Sequence, residues 1–211
     1  MDPEFRGMKV LITGAAGVFG SELARGFASA GAILCLSDFR EDALRALADE
    51  LRLPPQRLLF HPTDLTQDES IHGLVELVRG AWGAPDVVVN NAGIYPFGGL
   101  FEIEVELWDQ VMATNLRAPF LLIQAFARAM LERGVKGSII NVSSGSAENL
   151  RTNGIPYCVS KRGLEWLSRR ICLGRLGTPM DVANLVAFLA TSEPSFMTGQ
   201  NIVLDGFQWI A

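Results

Sequence analysis

Short apolar runs alternate with longer helix-type segments along this chain, and few folds accommodate such a pattern. The runs MKVLITG, AILCLSD and RLLFHPTDL have strand length, and each is followed by a segment whose apolar residues recur at helical spacing. Strands that are covered by helices on both sides of a parallel sheet are buried on both faces, so they read as continuous apolar runs. The pattern predicts an α/β fold of three layers, with a doubly wound, mostly parallel sheet and helices on both faces.

The rest of the chain continues this alternation. The run DVVVNNAG is followed by a long predicted helix over residues 107–133, the strand GSIINVSS and a helix over residues 157–170, and the chain then carries the helical segment MDVANLVAFLAT and the strand NIVLDG. The opening residues 1–7, MDPEFRG, have no hydrophobic period, and we interpret them as a vector-derived leader. We expect a single domain over residues 8–211.

Composition and charge exclude several classes of function. The net charge is −5 and the charges are dispersed without a basic stripe, which argues against a nucleic-acid or anionic membrane partner. The apolar runs are far shorter than the roughly 20 residues of a membrane span. Three widely separated cysteines and two histidines predict neither a disulfide framework nor a metal site. We expect a cytoplasmic protein.

A glycine-rich turn follows the first apolar run, in the sequence LITGAAGVFG at residues 11–20. Gly14, Gly17 and Gly20 stand between a predicted strand and a predicted helix, where free backbone N–H groups and the helix dipole together favour a pyrophosphate. The motif alone is equally compatible with a simple tight turn. Asp38 strengthens the nucleotide hypothesis, because it ends the next strand at about the spacing at which a carboxylate accepts from ribose hydroxyls.

The same carboxylate bears on the choice of cofactor. Asp38 would repel a 2′-phosphate, so NAD is favoured over NADP. Arg40 stands two residues later and could pair with such a phosphate, so NADP remains the less favoured alternative.

With these residues the chain resembles the short-chain dehydrogenase/reductase family over nearly its whole length after residue 7. Thr13, Gly14 and Gly20 agree with the family's opening Thr-Gly-x-x-x-Gly-x-Gly, whereas Val18 replaces the middle glycine. The resemblance implies a Rossmann fold and a catalytic set of Asn115, Ser144, Tyr157 and Lys161. It also implies that the cofactor is bound by Thr13, Gly14, Gly17, Val18, Phe19, Gly20, Asp38, Asp64, Leu65, Asn91, Ala92, Gly93, Tyr157 and Lys161.

Val18 is a departure from the family pattern. Its backbone N–H and the helix dipole are retained, but the added side chain must point aside or push the cofactor outward. We expect weakened rather than abolished cofactor binding.

Tyr157 and Lys161 are at positions i and i+4 and therefore share one face of a helix. An ammonium beside a phenol favours the phenolate, so Tyr157 could exchange a proton with an alcohol or a carbonyl. Ser144 would donate a hydrogen bond to the substrate oxygen, with Ser143 as the alternative serine. The resemblance implies that Asn115 supports a water molecule that relays protons.

The segment after Arg170 departs further from the family. Roughly 35 to 45 residues of the family pattern, comparable to a strand, a crossover and a lid, are missing there. Either the molecule has an internal deletion, or residues are missing from the sequence as read. The second explanation is favoured, because a deletion would expose an unpaired sheet edge.

These observations predict an NAD(H)-dependent oxidoreductase that interconverts a small secondary alcohol and a ketone. The resemblance implies a homodimer or homotetramer, in which long helices pack against those of a partner. The alternative is a dinucleotide-binding relative without turnover, which gains weight if the segment after Arg170 is truly deleted.

For the substrate pocket, IYPFGGLFEIE at residues 94–104 predicts one apolar and aromatic wall.

Overall fold

A five-stranded parallel sheet forms the centre of the computed structural model, which describes residues 5–149 and 152–169. The strands run in the order β3-β2-β1-β4-β5, and every neighbouring pair is parallel. They are β1 (Lys9–Thr13), β2 (Ile33–Asp38), β3 (Leu58–Pro62), β4 (Val87–Asn90) and β5 (Ser138–Asn141). The strand order reverses between β1 and β4, which makes the carboxyl ends of these two strands the expected place for a ligand.

Six α-helices lie within the described residues, five of them between strands and the sixth after β5. They are α1 (Val18–Ser29), α2 (Glu41–Leu51), α3 (Asp68–Trp82), α4 (Val105–Met112), α5 (Ala118–Arg133) and α6 (Ile155–Arg169). The sequence predicts one helix over residues 107–133, whereas the structure inserts a π-helical turn, Ala113–Arg117, between α4 and α5. This wider turn changes which side chains face inward, and it includes Asn115.

Burial on both faces of the sheet accounts for the three layers. Val10, Leu11 and Ile12 of β1 have no exposed surface. Because successive strand residues point to opposite faces, Leu11 joins one core cluster with side chains of α3 and α5, while Val10 and Ile12 join a second with side chains of α1 and α2. The predicted parallel sheet with helices on both faces is confirmed.

The chain divides by its internal contacts into two units, Met1–Glu165 and Trp166–Ala211. Residues 166–169 of the described chain belong to the second unit, and the other described residues belong to the first. Within the predicted leader, the Phe5 ring packs edge-on against the Phe27 ring of α1, with 5.2 Å between ring centroids. The junction after Arg170, the segment MDVANLVAFLAT and the strand NIVLDG lie outside the described residues. A single domain over residues 8–211 stays a prediction.

Two negative findings apply to residues 5–149 and 152–169. None of the helices there has the length and apolarity needed to cross a membrane. In the same ranges, no three His, Cys, Asp or Glu side chains come together in a group that could hold a metal ion.

Candidate functional site

Two glycines of the turn between β1 and α1 are required by steric contact. Gly14 has a φ of +63°, and a Cβ there would lie 2.7 Å from the Ala92 Cα. At Gly20 a Cβ would lie 2.1 Å from the carbonyl oxygen of Gly14. These positions exclude any side chain, so the turn closes against the loop after β4. Helix α1 begins behind Gly17 without a side-chain cap, which leaves its first N–H groups available to a ligand.

A cavity of about 370 Å³ opens at this turn, along the carboxyl ends of the strands. Its volume is in the range of small-molecule sites. Eleven of the predicted cofactor-binding residues line it, namely Gly14, Gly17, Val18, Phe19, Gly20, Asp38, Asp64, Leu65, Asn91, Ala92 and Gly93. The glycine-lined turn, a free helix N-terminus and a carboxylate at the end of β2 fit a dinucleotide.

Thr13 and Asn91 tie the glycine turn to the loop after β4. The Thr13 Oγ1 accepts hydrogen bonds from the N–H groups of Asn91 and Ala92, both at 3.2 Å. The Asn91 Nδ2 donates to the carbonyl oxygens of Thr13 and Gly14, at 2.9 and 3.1 Å. Thr13 is buried, so its part in the site is to hold these two segments together.

Asp38 and Arg40 form an ion pair at the wall of the cavity. The carboxylate of Asp38 is buried, and its Oδ2 accepts a hydrogen bond from the N–H of Ala16 at 3.0 Å. Its Oδ1 accepts from the backbone N–H and the Nε of Arg40, at 3.0 and 3.1 Å. The hydrogen bond to Asp38 raises the pKa of the Arg40 guanidinium. The cavity wall therefore carries a carboxylate that suits ribose hydroxyls directly beside a cation that suits a phosphate.

Asp64 and Leu65 follow β3 on the far side of the same cavity. The Asp64 Oδ1 accepts hydrogen bonds from the N–H and the Oγ1 of Thr66, at 2.9 and 2.7 Å. Leu65 is buried in the core. These bonds set the shape of the turn that borders the cavity.

Lys161 is the most deeply buried of the described lysines, with 3% of its surface exposed. Its Nζ donates to the carbonyl oxygen of Val142 at 2.7 Å and lies 5.8 Å from the centroid of the Tyr157 ring. Burial lowers the pKa of Lys161 to about 8, because desolvation disfavours the charged form. The ammonium and the phenol ring thus lie together on one face of α6.

Asn115 joins three segments of the site through the π-helical turn. It is completely buried, and its Oδ1 accepts a hydrogen bond from the N–H of Ile94 at 2.9 Å. Its Nδ2 donates to the carbonyl oxygen of Ile94 at 3.0 Å and to the Ser160 Oγ at 3.1 Å. A Cβ placed on Gly93 would lie 3.4 Å from both the Asn115 Oδ1 and the Lys161 Nζ. Asn115 and Lys161 therefore border the same glycine of the cavity.

The two candidate serines differ in their contacts. The Ser144 Oγ accepts a hydrogen bond from the N–H of Ser146 at 3.2 Å, and none of the described hydrogen bonds uses its hydroxyl proton. The Ser143 Oγ instead donates to the Glu165 Oε1 at 2.8 Å. Ser144 thus keeps a donor available, whereas the proton of Ser143 is engaged with α6.

Tyr95 is a site residue for which the sequence predicts only an aromatic wall. Its ring centroid lies 4.5 Å from that of Tyr157, with 54° between the ring planes. The sequence signal for Tyr95 was its place in the aromatic segment 94–104. That signal did not predict the contact with the Tyr157 ring, because Tyr157 is distant in sequence.

Comparison with known proteins relates the chain to one family. Residues 8–183 match the short chain dehydrogenase family, and residues 164–206 match the family described as enoyl-(acyl carrier protein) reductase. The chain is 27% identical to the NAD-dependent glycerol dehydrogenase of Listeria innocua, with 93% of this chain and 91% of the relative covered. It is also 27% identical to the D-threitol dehydrogenase of Mycolicibacterium smegmatis, with 98% and 95% covered.

A solved structure supports the same relationship. A metagenomic short-chain oxidoreductase in complex with NADP is 33% identical, has a TM-score of 0.75, and is matched over 92% of this chain and 96% of its own. The alignment with the glycerol dehydrogenase spans 236 positions, more than the 211 residues of this chain, so it includes positions at which this chain has no residue.

Proposed function

This chain belongs to the short-chain dehydrogenases, a family of oxidoreductases that use NAD(P), and we propose that it interconverts a secondary alcohol and a ketone with Tyr157 as acid and base. The observation that carries the proposal is the buried Lys161 ammonium beside the Tyr157 ring. Lys161 also borders Gly93, which lines the cavity formed by the glycine turn. A proton-transferring group and a dinucleotide site are therefore neighbours.

Different residues of the cavity would bind different parts of the cofactor. The N–H groups at the start of α1, behind Gly17, would hold the pyrophosphate. Asp38 would accept from the adenosine ribose, and Asp64 with Leu65 would border the adenine. Once bound, the nicotinamide group supplies the hydride acceptor or donor for the reaction. The chain itself supplies geometry and proton handling.

The proton step uses side chains of α6 and of the loop after β5. Tyr157 takes the proton of the alcohol hydroxyl, or returns it to the carbonyl oxygen in the reverse reaction. The Lys161 ammonium stabilises the phenolate form of Tyr157, which accepts the alcohol proton in the oxidation and remains after the proton passes to the carbonyl oxygen in the reduction. Ser144 donates its free hydroxyl proton to the substrate oxygen and so stabilises the charge that develops there.

Asn115 is proposed to act without direct contact with the substrate. Both ends of its side-chain amide are bonded to Ile94, so it holds the loop after β4 against α6. The water relay that the family resemblance implies would start from this position.

NAD is the preferred cofactor in this proposal. If the adenosine ribose is bound to the buried Asp38 carboxylate as proposed, a 2′-phosphate would bring a second negative charge beside it, which is unfavourable. Arg40 gives its Nε and Nη2 donors to Asp38, which leaves only its remaining N–H groups for a phosphate. NADP binding is expected to be weaker, not absent.

A homodimer or homotetramer is also proposed. Large apolar side chains remain exposed on α5, with Leu131 at 83% and Phe120 at 44%. Light scattering on the purified protein tests this, and a monomer at all concentrations would contradict it.

Two buried free cysteines, Cys35 and Cys158, fit a reducing compartment, so the cytoplasm is the proposed location.

An assay of NADH oxidation with a panel of ketones and hydroxyketones tests the activity. The panel should include the oxidised forms of glycerol and four-carbon polyols, because relatives carry the names of such dehydrogenases. Tyr157→Phe should abolish turnover while the circular dichroism spectrum stays unchanged.

The second candidate is a dinucleotide-binding protein without turnover. NADH binding in a fluorescence titration, together with no turnover of any compound in the panel, would support it against the enzyme.

A further inference from the structure

We propose that Tyr95 is a positioning residue that fixes the ring of Tyr157 through direct aromatic packing. This inference rests on the proposed function for its catalytic consequence, while the packing itself can be tested without turnover.

Helix α6 fixes the backbone of Tyr157, and a ring contact restrains its side chain. Its ring lies 4.5 Å from the Tyr95 ring, and the Tyr95 ring in turn lies 4.7 Å from that of Phe97. Tilted pairs at these distances are favourable because the positive ring edge approaches the negative ring face. Among the described residues, no hydrogen bond holds the Tyr157 hydroxyl. The Tyr95 ring therefore restrains the side chain that carries the reactive oxygen.

The Tyr95 ring is itself placed by backbone on both sides. Before it, the N–H and the carbonyl oxygen of Ile94 are both bonded to the buried Asn115 side chain. After it, the N–H of Gly98 donates to the carbonyl oxygen of Asn153 at 3.1 Å, and Gly98 forms a parallel bridge with Gly154. The loop that carries Tyr95 is thus attached to the residues directly before α6.

Gly154 provides the space that the Tyr95 ring occupies. A Cβ at Gly154 would lie 2.8 Å from the Tyr95 Cε2, so any side chain there would push the ring away. The Tyr95 hydroxyl is buried and has no hydrogen-bond partner among the described residues. Ring packing, not the hydroxyl, therefore holds Tyr95, and phenylalanine should replace it.

The chain contains only two tyrosines, Tyr95 and Tyr157, which permits a direct test. Protein labelled with 3-fluorotyrosine should give two fluorine NMR signals, and Tyr157→Phe identifies the one that belongs to Tyr157. The signal of Tyr157 is then compared in Tyr95→Phe, Tyr95→Leu and Gly154→Ala. Phe5→Leu is the matched control, because it removes the ring of another close aromatic pair, with 5.2 Å between the Phe5 and Phe27 ring centroids, at a residue that does not line the cavity.

The proposal predicts a specific pattern. Tyr95→Leu and Gly154→Ala should move the Tyr157 signal and lower kcat by about tenfold to a hundredfold, with KM for NADH unchanged, because a displacement of about 1 Å is costly to a proton-transfer geometry. Tyr95→Phe should retain most of kcat, and Phe5→Leu should change neither measurement.

Three results would overturn the proposal. They are an unmoved Tyr157 signal in both Tyr95→Leu and Gly154→Ala, an equal loss of kcat in Tyr95→Phe and Tyr95→Leu, or a rise in the substrate KM with kcat unchanged. If Tyr95→Leu does not fold, Gly154→Ala decides, since it keeps both rings. A wild-type protein without turnover would overturn the proposed function, and the fluorine signals would still decide whether Tyr95 places Tyr157.

Discussion

The β1 side of the site and the β5 side are built in different ways. Val10, Leu11 and Ile12 of β1 are completely buried, whereas Ile140 of β5 is 46% exposed. At the end of β1 the backbone itself forms the site, because Gly20 leaves no room for a side chain. After β5, a few side chains of α6 carry the proposed chemistry. Substitutions on the first side should therefore act through sterics, and those on the second through charge and ring position.

Gly20→Ala tests the steric side. The new Cβ would lie 2.1 Å from the Gly14 carbonyl oxygen, and backbone on both sides cannot yield easily. We expect the free energy of unfolding to fall by about 3 kcal/mol, and NADH affinity to fall in the fraction that folds. Urea unfolding and fluorescence titration measure these changes.

Gly26→Ala is the control on the same helix, since nothing lies within 4 Å of its Cβ. It should raise stability by about 0.5 to 1 kcal/mol, because alanine is the better helix former. Similar behaviour of the two variants would contradict the steric account of the turn.

Lys161→Met tests the charge side through the pH dependence of stability. Burial lowers the pKa of folded Lys161 to about 8 from the ordinary 10.5, so between these values the unfolded chain binds a proton that the folded protein has released. Stability of the wild type relative to the variant should therefore rise with pH across this range, by up to about 3 kcal/mol.

Urea titrations at several pH values between 7.5 and 10.5 measure this difference. Lys136 is exposed, so Lys136→Met is the control for removing a surface ammonium. A constant difference between the wild type and Lys161→Met over the whole range would show that burial does not perturb this amine.

Asp38→Asn and Arg40→Ala separate the two charges at the cavity wall. Asparagine still accepts from the N–H of Ala16 but carries no charge, so NADH affinity should fall by about tenfold and the preference for NADH over NADPH should shrink. Arg40→Ala should weaken NADPH binding more than NADH binding. Fluorescence titrations with both cofactors measure these preferences.

Arg45→Ala provides the control for the loss of a positive charge near Arg40. Arg45 pairs with Glu41 on α2 and does not line the cavity. Equal losses of NADH and NADPH affinity in Asp38→Asn would contradict a role for this carboxylate in choosing the cofactor.

Val18→Gly should have the mildest effect of these changes. The sequence predicts that Val18 weakens cofactor binding by its bulk, but its side chain is 82% exposed at the mouth of the cavity. Surface substitutions usually change free energies by no more than about 0.5 kcal/mol, so NADH affinity should change by no more than about threefold. A larger gain in affinity would show that the bulk of Val18 does obstruct the cofactor.

Sequence patterns predicted the sheet and much of the candidate site. The Tyr157 and Lys161 pair was expected on one helical face, and the structure places the Lys161 Nζ over the Tyr157 ring. The π-helical turn was not predicted, and the contact that its Asn115 makes with Ile94, which lies 21 residues earlier, is not visible in any local pattern. The packing of Tyr95 on Tyr157 was not predicted either, because these two residues are also far apart in the sequence.

The residues alone were enough to establish the parallel sheet and the glycine turn, because burial on two faces and the lack of a Cβ are properties of short local segments. Which side chains meet depended on the folded chain. Asn115 contacts Ile94, and Tyr95 contacts Tyr157 in the space left by Gly154, in a fold that pairs β4 with β5 and aligns their carboxyl ends. Contacts between distant segments follow from the register of the strands and the packing of helices on them, which no short stretch of sequence contains.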